Sequence, residues 1–261
     1  MSDNRPVTPM LKLYILKFVF RLSVFFTISV LYIRSKIEAT EFFKTPIFTV
    51  PLGGYSFGIA PLHLLWCMFM IMMFRHIFPA AGSHVSMALR KSRKDTYIEV
   101  PGYSESELLR YVKSKNTLAW WVLLAWIALN AVVAALFFTH VIGEAELMMI
   151  TLFYFIGDYV CILLFCPFQT FMIKSKCCVN CRIFVWGHFM MFTPMLFIRS
   201  FYSWSLFFTS LVVLIRWEII YAKHPEWFWE GSNKALQCSN CKDRTCLIKK
   251  QIRKHLFFLN K

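Results

Sequence analysis

The chain has 261 residues, of which 58% are hydrophobic and 16% are charged, and its formal net charge is +15 at pH 7. A soluble globular domain has about 25% charged residues, so this composition excludes an ordinary soluble enzyme or binding domain. Several apolar runs reach the length of about 20 residues that crosses the hydrocarbon core of a bilayer. The sequence therefore predicts an all-α integral membrane protein with six transmembrane helices.

The first apolar run follows a polar start, MSDNRPVTPM, and no small-residue cleavage site comes after it. It is predicted to be a retained span rather than a removed signal peptide. Lys17 and Arg21 lie in its first half, from where long basic side chains can reach the membrane interface. The predicted spans are 13–33, 59–78, 117–141, 147–173, 183–198 and 204–221.

The last two spans come from one apolar stretch, residues 183–221, which is nearly twice as long as a single span requires. Arg199 and three polar neighbours lie at its middle, after Pro194. A charge at the midplane of a bilayer is costly, whereas a charge at a turn between two spans lies at the interface. The sequence therefore predicts a hairpin of two spans.

Basic residues are distributed unevenly between the two sides of this topology. The segments assigned to the inside hold 22 Lys and Arg, and the segments assigned to the outside hold 4. The positive-inside rule then predicts that both termini are cytoplasmic, in a membrane that we expect to be the bacterial cytoplasmic membrane. Most of the positive charge is explained by topology and by anionic lipids on that face. No nucleic-acid motif accompanies it, so nucleic acid is not an expected partner.

Two matched cysteine motifs, CCVNCR at 177–182 and CSNCKDRTC at 238–246, stand on either side of the predicted hairpin. The hairpin brings both to the cytoplasm, where thiols stay reduced and are more often metal ligands than disulfides. Two Cys-x-x-Cys turns can supply four sulfurs to one zinc ion, and iron or an iron–sulfur cluster accepts the same ligands. The predicted ligands are Cys178, Cys181, Cys238 and Cys241, with Cys177 and Cys246 in reserve.

The basic residue after each cysteine pair is expected to favour thiolate over thiol. The alternative to a metal site is a set of reduced cysteines that includes a dithiol redox switch.

Upstream of the third span, Ser104 and Glu107 form a Ser-x-x-Glu pattern, which predicts a capping box at the start of a helix.

Asp158 lies near the middle of the fourth predicted span. An ionisable residue at that depth indicates a proton or ion path, or a partner cation. The alternative is a structural hydrogen bond within the bundle, for example to Asn130.

Four histidines near the ends of spans suggest a further cofactor. His63 with His140 and His76 with His188 could provide the axial ligands of two haems stacked across the bilayer. Histidines near membrane interfaces are commonly placed there for solvation. Two haems between one pair of helices would also require each helix to provide a histidine to both haems, and no two predicted spans do so. Haem therefore ranks behind zinc and iron.

The predicted organisation is a helical bundle over 1–222 and a basic cytoplasmic tail over 223–261, whose end has the composition of an interfacial helix. With zinc bound between loop and tail, the protein would be a scaffold, a transporter-like protein or a subunit of a membrane complex. With iron, it would transfer electrons between a cytoplasmic donor and a membrane acceptor. A membrane enzyme acting on lipid, based on Asp158, Arg216 and Glu218, is a third hypothesis. No nucleotide-binding loop or zinc-protease motif indicates an enzyme class.

Overall fold

The computed structural model describes residues 8–35, 41–52, 55–79, 87–175 and 177–249. Within them, the α-helices with defined bounds are α1 (Pro9–Arg34), α2 (Pro61–Ile77), α3 (Met87–Arg90), α4 (Glu105–Phe138), α5 (Glu144–Leu163), α6 (Gly187–Phe192) and α7 (Phe201–Lys223), and residues 41–44 are also helical. A two-stranded antiparallel hairpin, β1 (Phe48–Leu52) and β2 (Tyr55–Ile59), precedes α2. Most of the interfacial helix predicted at the C-terminus falls at 250–261, outside the described residues.

Four of these helices, α1, α4, α5 and α7, are long and apolar enough to cross a membrane. This fits the predicted all-α membrane protein, although the sequence analysis did not foresee the β-hairpin. The residues 48–52 and 55–59 are rich in Phe, Tyr, Val and Thr, which favour strands, but they are too few for the pattern to stand out beside the long apolar runs.

Local sequence explains where two of the long helices begin. Thr8 accepts a hydrogen bond from the Leu11 amide at 3.3 Å, directly before Pro9. Ser200 accepts one from the Ser203 amide at 3.1 Å at the start of α7. Such side-chain caps satisfy amides that have no partner inside the helix. The capping box predicted at Ser104 does not form, because the Ser104 hydroxyl pairs with that of Ser106 instead.

The predicted single helix over 147–173 is interrupted. Helix α5 ends at Leu163, and a π-helical turn, Phe168–Ile173, follows Pro167. Proline has no amide hydrogen and disfavours helical backbone in the residue before it. The Cys166-Pro167 pair therefore ends the α-helix early, at Leu163 rather than at residue 173, a difference of about three turns.

Helices α1 and α5 pack antiparallel along the bundle. Tyr14 contacts Tyr159 near one end, and the hydroxyl of Tyr32 donates a 2.7 Å hydrogen bond to Glu146 near the other. Helices α2 and α7 run parallel: Trp66 donates a hydrogen bond to Ser205, and Arg216 donates one to the carbonyl of His76.

Residues 184–197 form the centre of the bundle as three short helical pieces rather than one regular helix. Phe192 and Met191 are almost fully buried there. The chain reverses at Ser200, and α7 returns along this segment, with Phe189 against Phe207 and Trp186 bonded to Glu218. Residues 183–221 are therefore not one continuous helix.

One end of the bundle is closed by a small assembly that we call the cap, made of residues 97–100, 177–182 and 224–249. Backbone hydrogen bonds join Val100 to Ser232 and Lys234 to Ile98. The side-chain amide of Asn180 donates to Glu230 at 2.8 Å, which ties the 177–182 loop to the C-terminal segment.

Candidate functional site

A cavity of about 250 Å³, lined by both charged and apolar side chains, lies where α1, α2 and α5 meet the start of the central segment. It is near the end of the bundle that carries the cap, because its walls use the first half of α1 and the last turns of α2 and α5. Its ionisable lining consists of Lys17, Arg21, Arg75, His76, Asp158 and His188, together with the phenols of Tyr14 and Tyr159. We call it the cation cavity.

Arg21 forms the buried wall of the cation cavity, and only 4% of it is exposed. Its Nη1 donates to Asp158 Oδ2 at 3.0 Å and to the carbonyl of Phe155 at 2.5 Å. Its guanidinium also lies 4.1 Å from the ring centroids of Phe155 and Tyr159. The expectation that Arg21 reaches out to the interface is therefore wrong, because a carboxylate and two aromatic rings hold the charge inside the bundle.

Asp158 accordingly has a cation as its partner, one of the two roles that its depth indicated. The hydrogen bond to Asn130 does not form, because the Asn130 side chain donates to the carbonyl of Trp126 in its own helix. Gly187 allows this placement: a Cβ there would be only 2.7 Å from Asp158 Oδ1. The glycine lets the central segment approach the carboxylate closely.

Lys17 and Arg75 stand at the mouth of the cation cavity, and both are exposed. Asp158 is the one carboxylate among the residues that line the described cavity, and it is already paired with Arg21. Three cations and one carboxylate leave a formal excess of two positive charges facing the same space. The cavity is therefore suited to an anion.

His76 and His188 line the same cavity with their rings in contact, their centroids 4.6 Å apart. The Nδ1 atom of His76 is buried, and within the described residues it has no hydrogen-bond partner. The axial ligands of a haem lie on opposite faces of the porphyrin, so two rings in direct contact do not fit a haem between them. The ring of His63 packs on Tyr202 instead, and its Nδ1 accepts from the Ala60 amide.

The third hypothesis named Arg216 and Glu218, which the structure separates. Arg216 donates to the His76 carbonyl, next to the cation cavity. Glu218 binds the buried Arg182 of the cap with both carboxylate oxygens and accepts from Trp186 at 2.8 Å. The guanidinium of Arg182 also stacks 3.7 Å from the Tyr221 ring centroid. This second ion pair fastens the cap to α7.

The two cysteine motifs both lie in the cap. Cys177 and Cys241 pack against the same small apolar cluster, Ala88, Val179, Ala235 and Leu236. Cys178 and Cys181 are buried, whereas Cys238 is exposed. The structure therefore brings the loop and the C-terminal segment together.

Burial dominates the acidity of the loop thiols. It raises the pKa of Cys177 and of Cys181 to about 12, from an ordinary value near 9. Negative charge on Cys178, Cys241 or Cys246 would raise the pKa of Cys177 further. The expectation that neighbouring basic residues favour thiolates does not hold for these two, because desolvation outweighs those charges.

The side chain of Lys249 extends from the C-terminal segment to the C-terminal end of α5, where its ammonium group donates three hydrogen bonds. Its Nζ donates to the Cys161 carbonyl at 2.7 Å, to Gln169 Oε1 at 2.9 Å and to Cys178 Sγ at 2.7 Å. Only 7% of this lysine is exposed. Cys178 thus lies beside a buried ammonium group.

Across residues 8–35, 41–52, 55–79, 87–175 and 177–249, no three His, Cys, Asp or Glu side chains gather in a way that could hold a metal ion. The four-cysteine site therefore stays a prediction. Sequence reasoning singled out Asp158 but missed Lys17, Arg21 and Arg75 as its neighbours. The one available signal was the position of three basic residues inside apolar spans.

Comparisons of the chain with protein-family models, with curated proteins and with solved structures give no match.

Proposed function

We propose that this protein binds an anionic group, a phosphate or a carboxylate, in the cation cavity of a membrane-embedded bundle. The observation that carries the proposal is the excess of cations over carboxylates among Lys17, Arg21, Arg75 and Asp158. A phosphate monoester carries a charge of about −1.5 to −2 near neutral pH, which matches that excess. Arginine offers paired donors that fit phosphate and carboxylate oxygens.

The test measures binding of methyl phosphate, which has the head group and no apolar chain. Wild-type protein in phosphatidylcholine nanodiscs should broaden the ³¹P signal of methyl phosphate in a saturable manner. Arg75→Gln should weaken the affinity about tenfold, because a hydrogen bond to a charged group contributes roughly 1.5 kcal/mol or more.

The matched control is Lys113→Gln, which removes an exposed cation of α4 that does not line the cavity. It should leave the affinity within about twofold, well below a 1 kcal/mol effect. Equal weakening in the two variants would mean that methyl phosphate responds to overall charge, and the proposal would fail.

The proposal includes the six-span topology with both termini in the cytoplasm of a bacterium. The six spans are supported by the four long apolar helices and by two shorter apolar segments, 61–77 and 184–197. The orientation is supported by the 22-to-4 distribution of Lys and Arg. In this topology the cation cavity opens near the cytoplasmic leaflet, where anionic lipids give a negative surface potential.

A second candidate function is a scaffold whose cap is held by a metal, zinc in the first instance, bound to cysteines of the two motifs. The packing of Cys177 and Cys241, one from each motif, on the same apolar cluster favours it. Elemental analysis distinguishes zinc from the iron of an electron-transfer protein. Absence of both metals from protein purified without chelators would overturn this candidate.

A further inference from the structure

A second, apolar cavity of about 420 Å³ lies between α4, α5 and α6. Its walls include Trp126, Leu129, Tyr154, Met190 and Met191. This volume is within the range of pockets that enclose small molecules. We call it the apolar cavity.

The apolar cavity adjoins the cation cavity. Asp158, Ile162, Phe184 and Gly187 line both of them. On one side of this shared wall stand the cations and the two imidazoles, and on the other side stand aromatic, Leu and Met side chains. A charged compartment and an apolar compartment therefore meet at a single wall.

Gly157 shows that the apolar cavity has unfilled space beside α5. A Cβ built on Gly157 meets no atom within 4 Å, and this glycine is part of the cavity wall. A side chain can therefore begin at this position without contact at its Cβ atom.

We infer that the ligand is an anionic amphiphile with one apolar chain, whose head group binds in the cation cavity and whose chain occupies the apolar cavity. This inference rests on the proposed function, because it assigns the head group to the same cations. On this inference the chain leaves the head group along Ile162 and Phe184, the two apolar side chains that line both cavities. The volume of the apolar cavity, about 420 Å³, provides space for this chain.

The experiment compares dodecyl phosphate with methyl phosphate on wild-type protein and on Gly157→Leu, in phosphatidylcholine nanodiscs. Leucine at 157 should fill part of the apolar cavity and weaken dodecyl phosphate binding about tenfold, the effect of displacing roughly two methylenes from apolar contact. Methyl phosphate affinity should stay within about twofold of wild type, because Gly157 does not line the cation cavity. The control Ala131→Leu adds the same side chain on an exposed face of α4 and should change neither affinity.

A chain-length series on the wild-type protein gives the same information without a substitution. Affinity, corrected for partitioning of each phosphate into protein-free nanodiscs, should rise from methyl to octyl to dodecyl phosphate, and decyl trimethylammonium should not compete. Two results would contradict the amphiphile while supporting the anion site. In the first, methyl phosphate binds and dodecyl phosphate binds no more tightly. In the second, dodecyl phosphate binds Gly157→Leu as tightly as it binds the wild-type protein. Failure of methyl phosphate to bind the wild-type protein would instead overturn the proposed function, and this inference with it.

Discussion

At the scale of single residues, the buried ion pair between Arg21 and Asp158 is the main feature, and only one of its two members can be predicted from sequence. Asp158 can be singled out from sequence because a carboxylate at membrane depth is rare. Its partner Arg21 cannot be predicted in this way, because it is 137 positions away in the chain. A basic residue near the end of a span can equally well extend to the membrane interface. Only the antiparallel packing of α1 against α5 places Arg21 beside Asp158 rather than at the interface.

The buried pair predicts how the bundle responds to loss of one charge. Asp158→Asn should lower the free energy of unfolding by about 3 kcal/mol, since it leaves Arg21 buried without a counter-charge. The double variant Arg21→Gln/Asp158→Asn should recover part of that loss. Unfolding titrations in detergent measure both values. Stability of Asp158→Asn within about 0.5 kcal/mol of wild type would show that the pair does not hold α1 to α5.

At the scale of elements, the sequence predicts the long helices well and the irregular ones poorly. Length and hydropathy are sufficient for α1, α4, α5 and α7, since a bilayer requires about 20 apolar residues whatever their order. The interruption at Pro167 could have been read from the Cys166-Pro167 pair. Of the short helical pieces over 184–197, only the last has a visible local signal, Pro194 at its start.

The cap yields a prediction for its cysteines and for the topology together. A membrane-impermeant maleimide at pH 8 should label no cap cysteine in intact cells but should label Cys238 after lysis, because it is exposed. Cys181 should stay unlabelled, because it is buried and its pKa is about 12. Mass spectrometry of the labelled peptides measures both.

The control for this labelling is Ala145→Cys, in the loop between α4 and α5, which should react in intact cells. Labelling of Cys238 without lysis would contradict the cytoplasmic tail. A bound metal predicts additional labelled cap cysteines after chelation; an unchanged pattern counts against the metal-held cap.

The whole molecule has three features: an apolar bundle, a cation cavity near one end and a cap that closes that end. Composition alone indicates the bundle, and the Lys and Arg distribution indicates which side the cap occupies. Neither composition nor the distribution of Lys and Arg predicts the cation cavity. Its residues Lys17, Arg75 and Asp158 come from three helices that are far apart in the chain. Tertiary packing alone makes them neighbours.

The most direct test of the account is to locate a bound anion. Crystals of the protein soaked in tungstate, a tetrahedral dianion shaped like phosphate, should give an anomalous difference peak in the cation cavity. The peak should lie within hydrogen-bond reach of Arg75 or Lys17 and should disappear in Arg75→Gln crystals. Peaks confined to exposed basic residues such as Arg110 and Lys242, with none in the cavity, would contradict the anion site.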